Sequence, residues 1–470
     1  MTDKNFDTGS TSTLELVRGF PDLLNLHTLN PERYPFLLES VAHGTTEARY
    51  DILFACPQSS LTLDNNNTLT ATHADIELAG SNFLDSLDIW WRKTGSLNDN
   101  DIELPFQGGW FLYLSYELAG QVEQGLQLPR GDDNEVVACA VRIPAAVIRD
   151  HVTQRCWIVC ENDYAELVET LHADFLQANT PDNSQNNHAM LVDDICEDKG
   201  QAYLDAVEKI RRYIIDGDVF QVNLSRQWSA RLSADTNDLA LYQSLRTNNP
   251  APFAGIAHLQ DMSVISSSPE RLVNVRNRNI EVRPIAGTRP RGDKLAADQA
   301  LSGELLAHPK ERAEHIMLID LERNDLGRVC TPGSIEVNEL MVLESYAHVH
   351  HIVSNVRGEL REDVSPGQVI KAVFPGGTIT GCPKVRCMEI IAELEQTPRG
   401  AYTGSMGYLN HNGDMDLNIL IRTMTRKNNT VTLRAGAGIV ADSIPENELQ
   451  ETHAKAKGLL RALGAETQPS

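Results

Sequence analysis

Two pairs of glutamates have a spacing that metal chemistry can use. Glu311 and Glu314 stand at i and i+3; Glu448 and Glu451 repeat that spacing, with Lys455 four residues further on. In a helix each pair projects from one side. Two such helices face to face would offer an oxygen cage for Mg2+, a hard cation that takes few protein ligands beside water and substrate. The same spacing also describes an ordinary solvated helix face.

Anion-binding chemistry is suggested at other places. The run Phe374-Pro375-Gly376-Gly377-Thr378-Ile379-Thr380-Gly381-Cys382-Pro383-Lys384 puts glycines and hydroxyls just before a helical pattern, where free N–H groups can receive an anion. Cys382-Pro383 follows Gly381, so this is not a phosphate loop of the Lys-Ser/Thr type, and a carboxylate suits it at least as well. Pro284 to Gly292 holds two prolines, two glycines, Arg289 and Arg291, and reads as a pre-set turn that receives anionic groups. Arg422, in a strand-like stretch from Leu417 to Thr423, could present its fork to a carboxylate or join an ordinary ion pair. Ala435-Gly436-Ala437-Gly438 lacks the third glycine of a dinucleotide fingerprint, and its small residues suit close backbone approach. In His348-Val349-His350-His351 a strand would split the histidines between two faces, a poor metal site but a possible source of one acid or base.

These residues need elements to hold them. Tyr203, Val207, Ile210 and Ile214 have helical spacing between Gln201 and Asp216, with Gly217 as the stop. Phe220 to Leu224 reads as a strand, as do Tyr50 to Phe54, Val136 to Val141 and Ile280 to Arg283. Helices are expected over 311–321, 385–394 and 446–463, the last with Ser443 as N-cap and Pro445 in its first turn. Asn412-Gly413 signals a hairpin. The first 15 or so residues are polar and read as a disordered lead-in. Residues 180–195 read as a linker between an N-terminal region, 16–179, and a catalytic region, 196–465. Hairpin signals outnumber β-α-β units, so the expected fold class is α/β (α+β), a large sandwich of antiparallel sheets with outer helices.

Bulk composition narrows the partners. The 470 residues carry a formal charge of −24, which disfavours nucleic acid and anionic membrane surfaces. No apolar run is long enough to span a bilayer and the N-terminus has no apolar signal core, so a cytoplasmic protein is expected. Eight cysteines are scattered; Cys156 and Cys160 share one strand face, which suits core packing. Residues alone reach as far as a Mg2+-assisted enzyme for a small polycarboxylate.

Taken together the motifs resemble the chorismate-utilising enzymes. The likeness runs through Ser268-Pro269-Glu270-Arg271, Pro284 to Gly292, Lys310 to His315, Leu321 to Asp325, the Phe374 to Lys384 loop, Arg399 to Tyr402, Ile421 to Thr423, Ala435 to Val440 and the final acidic helix. The resemblance implies Mg2+ held chiefly by Glu314 and Glu451, with Glu311 and Glu448 in support, and a chorismate ring carboxylate bound with Thr288 and the Gly438 backbone. It implies Tyr402 and Arg422 on the enolpyruvyl carboxylate and Glu270 as general acid toward the C4 hydroxyl; Lys455, Thr378 and His351 also match active-site positions. Members that add water use a lysine where Gln221 stands, so ammonia is implied as the nucleophile, delivered by a separate glutamine amidotransferase subunit. Asn223, the Gly376-Gly377 pair and Asp51 resemble the aminodeoxychorismate branch. Ala286 matches the anthranilate branch, the alternative; a chorismate-binding paralogue without activity is a third reading, against which the intact carboxylates and Arg422 count.

Overall fold

The computed structural model describes residues 4–8, 11–16, 21–42, 49–74, 76–95, 104–178, 192–233, 236–291, 295–345 and 349–465. Among them the strands form two sheets, of 13 and 11 strands. Within each sheet the pairings are antiparallel. Each sheet joins strands from both ends of the chain. In the larger, Phe36–Glu39 pairs with Phe253–Leu259, and the path continues through Met262–Ser268, Thr423–Lys427 and Thr430–Ile439 to Gln221–Leu232. In the smaller, Gly109–Leu114 pairs with Ser405–Asn410.

The inner faces meet in an aromatic core. Phe36 of the larger sheet stacks on Phe111 of the smaller with ring centroids 4.0 Å apart, joined by Phe54, Phe106, Tyr408 and Met406. Burying one such side chain is worth about 1.5–3 kcal/mol, so this layer fixes the spacing of the sheets. Helices cover the outer faces. Gly200–Ile215 turns Tyr203, Val207 and Ile210 onto Val222, Leu224, Ala437 and Ile439, and Gly217, at φ +85°, redirects the chain into the next strand.

The expected elements are largely present, with four corrections. Pro284 to Gly292 is not a free turn. Ile285–Pro290 is a strand paired with Val349–Glu359, and the register slips between Ala286 and Thr288. Gly287 absorbs that bulge at φ +65°, where a Cβ would meet Glu311 Oε2 and Leu305 Cδ1, each at 2.8 Å. The polar lead-in is ordered in part: Lys4–Thr8 and Thr11–Leu16 pair with each other, and the second pairs with Arg155–Glu161. Ser443 does not cap the last helix. Pro445–Ala462 has Ile444 at its N-cap, and Ser443 Oγ instead accepts the Val440 N–H at 3.0 Å. Arg422 lies between strands, after Met415–Asn418 and before Thr423–Lys427, with φ +53°.

Val192–Glu197, which overlaps the expected linker, is a strand paired with Gln221–Leu232; residues 180–191 lie outside the described residues. Cys156 and Cys160 are both buried in the core, and all eight cysteines are free thiols. No helix among the described residues is long and apolar enough to cross a membrane.

Candidate active site

The strands Gln221–Leu232 and Thr430–Ile439 form one wall. Alternation puts Val222 and Leu224 against the outer helices and Gln221 and Asn223 on the opposite face. Their neighbours across the ladder are glycines. A Cβ on Gly438 would lie 2.4 Å from Gln221 Nε2, and one on Gly436 would lie 2.8 Å from both Asn223 Oδ1 and the Tyr402 hydroxyl. Any larger residue would displace these groups. Gln221 Nε2 donates to Glu314 Oε1 at 3.0 Å, which fixes the amide; its Oε1 and Asn223 Oδ1 are buried without a partner among the described residues.

Glu270 follows the strand Met262–Ser268 and is 6% exposed. It accepts the Thr378 hydroxyl at 2.8 Å and the Ile285 N–H. Burial pushes its carboxyl up to about 7, although Thr378, the Ile285 N–H, Lys455 and Arg422 all pull the other way. A carboxyl poised there can hold a proton near neutral pH and give it up.

Arg422 makes no ion pair among the described residues. Burial lowers its pKa, against the pull of Tyr402, Glu451 and Glu270. A desolvated guanidinium of this kind favours a carboxylate ligand. Tyr402 is buried, which raises its phenol, and Arg399 lies over its ring at 5.5 Å. Ala286 is buried and pairs with Ile352, and Thr288 pairs with His351; the Thr288 side chain and His348 lie outside the described residues. Burial pushes the His351 imidazole down to about 4, so it is neutral at pH 7.

Glu270, Thr378, Arg422, Tyr402, Lys455 and Glu451 are thus linked by contact or by their fields, and Gln221, Gly438 and Glu314 by contact. The glutamates are less closely gathered. Glu311 pairs with Arg289 at 3.2 Å, Glu451 with Lys455 at 2.6 Å, and Glu314 takes the Gln221 amide. Glu448 is half-buried on the face of Pro445–Ala462 that carries Glu451. Among the described residues no three acidic, histidine or cysteine side chains stand close enough to hold a metal. The donors are nonetheless hard carboxylate oxygens on two helices, the chemistry that Mg2+ takes.

The chorismate binding enzyme family matches residues 35–461. The chain belongs to that family. Among its relatives is the "Anthranilate synthase component I-like protein" of Synechocystis sp., 46% identical over 77% of this chain and 73% of that protein. The Aminodeoxychorismate synthase component 1 of Bacillus subtilis is 42% identical over 79% and 80%. Of solved structures, the anthranilate synthase component I of Streptococcus pneumoniae is 32% identical, with a TM-score of 0.77 over 89% of this chain and 93% of that one.

As a member of this family the chain is an enzyme of chorismate chemistry. Two buried clusters beside the pocket escaped the residue-level reading. Glu395 lies between Arg399 and Arg434, at 2.7 and 2.9 Å. Glu322 and Asp325 lie beneath the glycine loop with Lys384. The i, i+4 spacing of Glu395 and Arg399 was the available signal for the first. For the second, Glu322 and Asp325 at i and i+3 look like any exposed acidic helix face.

Proposed function

We propose that the chain is component I of an aminodeoxychorismate synthase. It would convert chorismate and ammonia to 4-amino-4-deoxychorismate, the ammonia coming from a separate glutamine amidotransferase subunit. The observation that carries amination over hydration is Gln221: a buried amide that donates to Glu314 cannot deprotonate water. Within the amination reactions, Asn223 and the Gly376-Gly377-Thr378 loop favour this branch. So does Asp51, which stands where the anthranilate branch carries a serine in its tryptophan site. It accepts the Ser40 N–H at 2.9 Å and pairs with Arg149 and His151, both at 2.8 Å.

In this reading Arg422 and Tyr402 hold the enolpyruvyl carboxylate, while Thr288 and the Gly438 backbone face the ring carboxylate. Thr378 orients Glu270, which gives its proton to the C4 oxygen so that the oxygen departs as water rather than hydroxide. Ala286 has no nucleophilic atom, so ammonia or water would add at C2 as the C4 oxygen leaves, and ammonia would then add at C4 as the C2 group departs with its bonding electrons and a proton. Glu314 and Glu451, supported by Glu311 and Glu448, would hold Mg2+, which would supply a positive clamp for the ring carboxylate. Glu451→Ala is expected to lose Mg2+-dependent turnover; full activity in that variant would remove the metal role.

Anthranilate synthase component I is the second reading, favoured by Ala286. Product identity separates the two. With chorismate, Mg2+ and ammonium the purified chain is expected to give no anthranilate fluorescence, and para-aminobenzoate only after an aminodeoxychorismate lyase is added. Fluorescence without the lyase would reverse the choice.

A further inference from the structure

The helix Pro309–Gly327 carries a second acidic pair, deeper than Glu311 and Glu314. Glu322 and Asp325 are one turn apart and only 6% and 7% exposed. Both grip the glycine loop. Glu322 lies against the Gly377 backbone, whose N–H favours its ionised form, and the fit is close: a Cβ on Gly377 would lie 3.0 Å from Glu322 Oε1 and 2.5 Å from Leu321 Cδ2. Asp325 Oδ2 takes the Lys384 ammonium at 2.5 Å, and Lys384 reaches back to the Val373 carbonyl at 3.4 Å. The loop is therefore held at its middle and closed across its two ends. Thr378, next to the Gly377 anchor, is the residue that donates to Glu270.

We propose that Glu322 and Asp325 are positioning residues: through Gly377 and Lys384 they clamp the loop that carries Thr378, and so set the orientation and acidity of Glu270. The inference rests on Glu270 being the acid of the proposed reaction. The surrounding charges are consistent with the clamp. Glu322 faces Asp325, Lys384 and Glu270, and burial, then repulsion from Asp325, pushes it up to about 8. Burial and Asp325 thus disfavour its charged form beside Glu270. Asp325, raised by burial, faces Lys384, Arg328 and Glu123. Glu270 faces Lys455 and Arg422 as well as Thr378 and the Ile285 N–H.

Thr378 favours ionised Glu270, so loosening the loop must make Glu270 a weaker acid. In Glu322→Ala the alkaline limb of kcat for chorismate consumption is expected to move up by about one pH unit. Its kcat falls about tenfold while KM for chorismate stays within about twofold. Glu322→Gln, which keeps the shape and an oxygen against the Gly377 backbone, restores the limb. Gly377→Ala, with every charge intact, moves the limb in the same direction and keeps the test open if Glu322→Ala fails to fold. On a Thr378→Val background Glu322→Ala adds no further shift.

Chorismate loss is followed rather than one product, so a different product leaves the result intact. Infrared titration of the Glu270 carboxyl, assigned with Glu270→Gln, reads the same shift in resting protein. That shift in a chain without turnover would refute the functional reading and support the clamp. A folded Glu322→Ala or Gly377→Ala with both the limb and the infrared titration unmoved overturns the proposal. So does a Glu322→Gln that behaves like alanine, or an additive shift on Thr378→Val.

Discussion

Glu270→Gln is expected to lower kcat for chorismate consumption by about 10²–10⁴-fold while leaving chorismate affinity nearly unchanged. Glutamine keeps the shape, and its oxygen can still accept the Thr378 hydroxyl, but an amide has no proton to give to a departing oxygen. The wild-type pH profile carries the same signature. Glu270 is useful when protonated, and its carboxyl is raised from 4.5 to about 7, so turnover is high below pH 7 and falls as pH rises through it. Stability moves the opposite way in the variant. A carboxyl with a raised folded-state pKa contributes stability that is present below pH 4.5 and lost as pH rises toward 7, because the unfolded chain ionises first. Removing the carboxyl therefore stabilises the protein at pH 8, by at most about 3 kcal/mol. Kinetics beside urea melts at pH 5 and pH 8 would read both effects. A kcat within tenfold of wild type would sink the acid role.

The residues that proved legible in sequence are those whose partners are local or whose pattern is periodic. The helix over 200–215 showed itself by spacing, because it turns Tyr203, Val207 and Ile210 to a sheet, whereas the helix over 309–327 was read only from Glu311 to Leu321. Gln221–Leu232 was readable only to Leu224. Beyond it Ser225 and Arg226 break the apolar pattern, yet both are buried, Ser225 bonding Glu395 and Arg226 the Asp198 carbonyl. The stretch after Pro284 misled for a related reason. Its prolines and glycines carry turn propensity, while pairing with the distant strand Val349–Glu359 makes it a strand. At the site, residue types pointed to a carboxylate pocket, and the family likeness placed Glu270 and Arg422 in it. Burial was invisible. Nothing in sequence separates Glu322, raised to about 8, from an exposed helix glutamate, because the desolvation comes from a loop more than 50 residues downstream.

The largest stability effect is expected at Glu395, which binds the two walls of the pocket together. Its carboxylate is 1% exposed and holds Arg399 at 2.7 Å, Arg434 at 2.9 Å, and the N–H and hydroxyl of Ser225, each at 2.8 Å. Burial alone would raise its pKa, but the two guanidiniums more than reverse this and leave it below 4.5. Removing one member of such a network strands the others without counter-charge, so Glu395→Ala should lose about 3–5 kcal/mol in urea unfolding. The lowered carboxylate contributes stability above its unfolded pKa of about 4.5 that is lost as pH falls through the folded value. The gap between wild type and Glu395→Ala should therefore close in acid and stay open at pH 7. Activity should fall with stability, because Arg399 donates to the Asn223 carbonyl at 2.7 Å and the Ile379 carbonyl at 3.2 Å. It thereby ties the Gln221 wall to the Thr378 loop. A loss smaller than about 1 kcal/mol at pH 7 would place Glu395 among ordinary surface pairs and remove its role as the joint between those walls.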